Sequence, residues 1–161
     1  MKLAINQYIC PINFPIEVFF KYVKESGAEA VGLSSHIIQS YSLNEINYLL
    51  KKYKLKVSSL NSAGYFLYNS IKEKSNQNKK NKELIEFASA IEAKTLCIIT
   101  GGISHGEWTI GEARYEVLSQ LSELADKSKN YGVKLGLEPI HPIDLHQKGI
   151  INNISSAIKV I

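Results

Sequence analysis

Val133-Lys134-Leu135-Gly136-Leu137-Glu138-Pro139-Ile140-His141-Pro142 reads as a short, mostly apolar strand that closes on a carboxylate and opens into a proline-bounded loop. Four similar runs precede it, at residues 2–7, 30–33, 57–60 and 95–100. The segments between them have helical periodicity. Pro15, Val18, Phe19, Tyr22 and Val23 form one stripe, ended by Gly27. Ser42 with Glu45 three residues later predicts a capping box, and Ile46, Leu49, Leu50 and Tyr53 follow it on one face. Leu84, Ile85, Ala88 and Ile91 form a third stripe. A helix over residues 110–130 places Ala113, Val117, Leu121, Leu124 and Ala125 inward, with Gly132 past its end. A last helix starts near Asn153. The chain therefore alternates β and α five times, and strands apolar on both faces imply a parallel sheet covered by helices.

Composition agrees with one domain over residues 1–161. Hydrophobic residues make up 45% and charged residues 21%, which excludes disordered, collagen-like and coiled-coil chains. No apolar run approaches the ~18 residues of a membrane span. Asn6 and Gln7 interrupt the first run, so no signal-peptide core is present. Cys10 and Cys97 lie too far apart to suggest a disulfide framework, and a reducing cytosol is the expected location. The net charge of +4 equals that of residues 72–82 alone, where five lysines meet one glutamate among Asn, Gln and Ser. This segment reads as a solvated helix start or loop. Nucleic-acid partners are not expected, because Arg114 is the single arginine and aromatics are not interleaved with the lysines.

Two architectures suit this pattern. An open doubly wound sheet would be complete in 161 residues, whereas a (β/α)8 barrel typically takes ~250. Pattern alone favours the open sheet. Neither a G-x-G-x-x-G after the first strand nor a Walker A run is present, so no nucleotide site is marked. In both architectures the chemistry belongs at the carboxyl ends of the strands. The residues there are Asn6 and Gln7; Ser34, Ser35 and His36; Asn61 and Ser62; Gly101 and Gly102; and Glu138 with His141. A carboxylate closing a buried strand calls for an ion-pair partner or a metal. His141 reads either as a turn residue capping a helix or as a site residue. The run from Gly101 to Trp108 is rich enough in glycine to allow close backbone approach to a ligand. His36, His105 and His146 read as loop or surface residues, Trp108 as a packing residue or a pocket cover, and Cys97 as a buried thiol.

The Leu137-Glu138-Pro139-Ile140-His141-Pro142 run resembles the fifth-strand motif of the sugar phosphate isomerase/epimerase family, the xylose isomerase-like TIM barrels. Other stretches match in order: Asn6-Gln7, Val57-Ser58-Ser59-Leu60 with Gly64-Tyr65-Phe66, Thr100-Gly101-Gly102 with Gly111-Glu112-Ala113-Arg114, and Asn152-Asn153. The resemblance covers essentially the whole chain and is specific to the superfamily, not to a substrate. It implies an incomplete (β/α)8 TIM barrel of class α/β, about five βα units with parallel strands. It implies a sugar or polyol isomerase or epimerase that moves a proton beside a carbonyl. Glu138 would be both metal ligand and acid/base, with His141, Asn6, Gln7, Gly101 and Gly102 binding substrate. The metal would be Mn, Mg, Co or Zn, and only if the ligands expected on strands six to eight are supplied. Self-association or a C-terminal half is the implied partner. A five-strand arc would also leave an apolar barrel interior uncovered. At Asn61-Ser62-Ala63-Gly64 relatives tend to carry an Arg that would suit a phosphate, and Gln147-Lys148 stands where they often have Asp-Arg. A non-catalytic sugar-binding half-barrel is the alternative, and an abasic-DNA endonuclease relative is a more distant one.

Overall fold

Five parallel strands, β1 (Ala4–Asn6), β2 (Ala30–Ser34), β3 (Lys56–Gly64), β4 (Thr95–Ile99) and β5 (Lys134–Leu137), lie side by side in sequence order. The computed structural model describes residues 3–103 and 108–160. Between the strands run α1 (Ile16–Glu25), α2 (Ile37–Ser40) with α3 (Leu43–Tyr53), α4 (Ile71–Ala90) and α5 (Ile110–Lys129), and α6 (Ile154–Ile158) closes the chain. The strand order decides between the two architectures. A doubly wound sheet reverses its order at a switch point. Here each strand adds to the same edge as the last, so right-handed crossovers place every helix on one face. The preference for an open sheet is corrected: the sheet is an arc of a singly wound barrel.

The core lies between sheet and helices. Val31, Leu33, Leu60, Ala63, Leu96 and Ile98 project from β2, β3 and β4, and meet Phe20, Ile46, Leu84 and Ala113 from the helices; all ten are fully buried. Helix ends follow local chemistry. Ser42 Oγ accepts from Glu45 N while Glu45 Oε2 accepts from Ser42 N, and Thr109 with Glu112 repeats this capping box at α5. Gly27 takes φ +81° just past α1. Residues 72–82 form the polar first half of α4, as their composition allows.

Two helix faces differ from the periodic reading. α1 buries Ile16, Phe19, Phe20 and Val23, while Tyr22 is 58% exposed. Pro15 serves as the N-cap, so the helix starts at Ile16, and the adjacent aromatics supply two overlapping stripes of which this one wins. α5 buries Gln120 and Ser128 along with Ala113, Val117 and Leu124. Gln120 donates to Glu116 Oε1 at 3.0 Å and Ser128 to Ala125 O at 2.9 Å, so both are buried with a partner.

The concave face carries the largest departure. Positions alternate along a strand, and the residues opposite the core are small or polar. Gly32 sits between Asn6 and Ser59, and a Cβ there would lie 3.0 Å from Asn6 Nδ2 and 3.1 Å from Ser59 Oγ. Asn61 pairs with Cys97 in register, and Cys97 with Gly136. The expected apolar interior is thus a hydrogen-bonding surface. Apolar surface is exposed instead along the β5 edge. There Leu118, Leu121, Leu135, Leu137 and Val160 line a groove of about 730 Å³.

One internal strain is testable. The Tyr68 hydroxyl is buried without a hydrogen-bond partner among the described residues, and burial, with the Glu116 and Glu123 charges behind it, pushes its pKa up. Tyr68→Phe removes that unpaired group, so the variant is expected to gain about 1 kcal/mol. In thermal melts this appears as a Tm about 2–4 °C higher. A fall in Tm would show that the hydroxyl is in use.

Candidate functional site

β1 ends at Asn6, whose Oδ1 accepts from Tyr8 N at 3.0 Å and so starts a 3-10 turn over Gln7–Ile9. That turn lays two side chains across neighbouring strand ends. Gln7 Oε1 accepts from Ser34 N at the end of β2, 2.9 Å away. Tyr8 Oη donates to Asn61 O on β3 at 2.9 Å. β3 does not stop at Leu60, where its apolar run ends. It continues through Asn61-Ser62-Ala63 to Gly64, with a cis Asn61–Ser62 peptide, and carries Asn61 and Ser62 into the sheet. Ser62 N donates to Ser35 Oγ at 3.3 Å, and the Ser62 and Tyr65 hydroxyls share a hydrogen bond of 3.2 Å.

Glu138 follows β5 directly, and its N–H donates to Ile98 O at 2.9 Å, one ladder step beyond the Ile98–Leu137 pair. Alternation puts it on the concave face with Gly136. Its side chain is exposed, and among the described residues it has no ion-pair partner, so the salt-bridge reading of this glutamate has no support. Its charge reaches two neighbours. Burial raises the Cys97 pKa, and the Glu138 carboxylate raises it further. Burial also raises the Tyr8 pKa, with the charges of Tyr65 and Glu138 adding to it and hydrogen bonds from Ser34 and Ser62 opposing it. Tyr8 therefore stays a neutral phenol at physiological pH. The strand ends thus bring together one free carboxylate, the hydroxyls of Tyr8, Ser34, Ser62 and Tyr65, and the half-buried thiol of Cys97. Such a set can hydrogen-bond a polyol and move one proton.

The charge coupling can be measured. With Cys10→Ser as background, Glu138→Gln is expected to lower the Cys97 pKa and to speed its alkylation by iodoacetamide at pH 8. An unchanged rate would place the carboxylate away from the concave face.

The remaining candidates divide. His141 Nδ1 accepts from Ile143 N at 3.2 Å and caps the 3-10 turn over Pro142–Asp144, so its structural part is that of a capping residue. Gly101 and Gly102 do make a close backbone approach, but to the chain itself. Gly101 (φ +85°) donates to Lys148 O at 2.9 Å and bridges to Gly149, and a Cβ on Gly102 would overlap the His146–Gln147 peptide. Asn152 Nδ2 ties the same loop down, donating to Ile140 O and Gly149 O at 3.0 Å each, and Asn153 caps α6. His36 and His146 are exposed, Trp108 packs on the core, and His105 lies outside the described residues. Tyr8 and Tyr65 are site residues that the sequence pattern did not single out. A tyrosine two residues past a strand end was the available signal for Tyr8.

Residues 20–161 match the family model described as a xylose isomerase-like TIM barrel. The chain belongs to that family. Ninety solved chains resemble it in structure. A protein of Sinorhizobium meliloti 1021 superposes with a TM-score of 0.91 at 20% identity, over 98% of this chain and 57% of its own. The IolI protein, solved with a zinc atom, gives 0.82 at 18% identity, over 100% and 58%. A D-allulose 3-epimerase from Methylomonas, solved with D-allulose, gives 0.80 at 14% identity, over 99% and 57%. At these identities the likeness shows the fold alone. The chain spans less than two thirds of each. No curated protein matches it in sequence.

A divalent metal can be tested against the residues present. Among the described residues no three His, Cys, Asp or Glu side chains gather as a ligand set. Glu138 alone falls well short of the ~6 oxygen ligands that Mg²⁺ or Mn²⁺ prefers. The donors among the described residues do not by themselves fit a metal.

Proposed function

We propose that the chain is the N-terminal part of a sugar isomerase or epimerase that moves a proton beside a carbonyl. Glu138 supports this reading most directly: a free carboxylate on the concave face, at the carboxyl end of a barrel strand, surrounded by hydroxyl groups. Glu138 takes the proton from the carbon next to the substrate carbonyl, leaving an enediolate. In isomerisation the protonated Glu138 returns it to the former carbonyl carbon once the hydroxyl proton has passed between the two oxygens. In epimerisation a second acid, from the C-terminal half, protonates the same carbon on the opposite face. Ser34, Ser62, Tyr8 and Tyr65 hold substrate hydroxyls, with Asn6 and Gln7 setting the turn that carries Tyr8. His141, Gly101 and Gly102 shape the loop beside the carboxylate. A divalent metal, Mn, Mg, Co or Zn, would polarise the carbonyl only where a C-terminal half supplies its other ligands.

The test is turnover by the 161-residue chain with added Mn²⁺ or Co²⁺ and a hexulose such as D-fructose. The chain alone is expected to show none, because one carboxylate cannot complete the site. Turnover lost on chelation and in Glu138→Gln would overturn that expectation. The hydroxyl cluster also favours a second reading, a sugar-binding half-barrel without catalysis. Saturable sugar binding that ignores both metal and Glu138→Gln would select it.

A further inference from the structure

We propose that the cleft between the loops after β1 and β2 is an outer part of the substrate site, shaped for an uncharged apolar or aromatic group attached to the sugar. This deepens the sugar reading above and rests on it. The cleft holds about 490 Å³, and its walls include Tyr8, Pro11, Ile12, Phe14, Ile37 and Tyr41. Among the described residues no Lys, Arg, Asp or Glu lines it. The groove at the opposite end of the sheet differs sharply: Lys51, Lys54, Lys56 and Lys94 surround it, with Glu92 as the acid. A phosphate or carboxylate would find no Lys or Arg in the strand-end cleft, only the imidazole of His36. An apolar ring would find the aromatic and branched walls of Tyr8, Phe14, Ile37 and Tyr41, with Asn13, His36, Gln39 and Ser40 between them to meet polar substituents.

The cleft is joined to the hydroxyl cluster through shared side chains. Tyr8 and Ser34 belong to both, and Gln7, which accepts from Ser34 N, lines the cleft beside them. Tyr8 is the partition: its phenol oxygen faces Asn61 and the neighbouring serines, while its ring forms a wall of the cleft. A sugar hydrogen-bonded on the Glu138 side therefore has a neighbouring apolar slot for a group carried on one of its oxygens. Loop composition points the same way. Ile12 is 85% exposed, and none of the described residues covers it. A bound ring would remove it from water, and burying apolar area of that size corresponds to about tenfold or more in affinity.

The experiment is a chemical-shift titration of the 161-residue chain with paired methyl and phenyl β-D-glycosides of glucose, galactose and xylose. The phenyl member of a bound pair is expected to bind at least tenfold tighter. Ile12→Asp is expected to cut that ratio at least threefold. Ile71→Asp, at an isoleucine 90% exposed on α4, should leave it as it was. A methyl glycoside that binds as well as its phenyl partner would overturn the cleft and leave the sugar site standing. So would a phenyl advantage unmoved by Ile12→Asp. No binding of any glycoside at millimolar concentration would overturn the sugar reading, and the cleft with it.

Discussion

Gly64→Ala is expected to destabilise the fold by about 3–5 kcal/mol, the sum of a strained backbone and an overlap that cannot relax. Gly64 ends β3 with φ +101°, a conformation that residues with a Cβ rarely adopt. A Cβ added there would run into the Ile99 carbonyl oxygen and lie 3.0 Å from Ile98 Cγ2. Backbone of the adjacent strand cannot move aside without opening the ladder, because Tyr65 N already donates to Ile99 O at 2.7 Å and Phe66 N to Thr100 O at 2.9 Å. The same glycine is gripped from the helix side. Asn81 is 1% exposed; its Oδ1 accepts from Gly64 N and its Nδ2 donates to Gly64 O, each at 3.0 Å, and Gln77 Nε2 donates to the same oxygen. Chemical denaturation should show a loss of stability with an unchanged slope. At about 2–4 °C per kcal/mol for this size, the Tm should fall by about 6–20 °C. A Tm within two degrees of the parent would show that the β3–β4 junction is softer than its hydrogen bonds imply.

That junction also shows what periodicity could and could not disclose. The strand beginning at Lys56 and the capping boxes are local chemistry and could be read directly. Ser42 with Glu45, Gly27 after α1 and Asn153 before α6 each act within a few residues of themselves. The second half of β3 was hidden because Asn61-Ser62-Ala63-Gly64 has loop composition, yet it faces a polar concavity and needs no apolar side chains there. The first half of α4 was left between helix start and loop for the opposite reason. Its polar residues face solvent, and the buried Asn81 gives no apolar stripe. Strand order is a property of crossovers, so the five runs alone left the arc and the open sheet unresolved. The site divides along the same line. Glu138 announced itself by closing a strand. Tyr8, Ser62 and Tyr65 come together only because the sheet aligns the ends of β1 and β3.

Glu138→Gln should have the largest chemical effect. In a barrel completed by three further βα units, the variant is expected to lose solvent-deuterium exchange at the carbon beside a hexulose carbonyl by about 10²–10⁴-fold, the usual worth of a positioned acid/base. Glutamine keeps the size and hydrogen-bonding reach of the side chain but cannot hold the proton. Sugar affinity should therefore change far less than the exchange rate. That split matters because the surrounding groups can bind without reacting. Tyr8 is kept as a neutral phenol by burial and by the nearby charges of Tyr65 and Glu138, so it can donate to a substrate oxygen but is a poor base. The Cys97 thiol is likewise held protonated, first by burial and then by Glu138. With Tyr8 and Cys97 holding their protons, the Glu138 carboxylate remains the proposed proton acceptor of this cluster. An exchange rate that survives Glu138→Gln would move the chemistry to the C-terminal half and leave this chain as a binding surface. Equal losses of affinity and exchange would instead make Glu138 an anchor for the substrate.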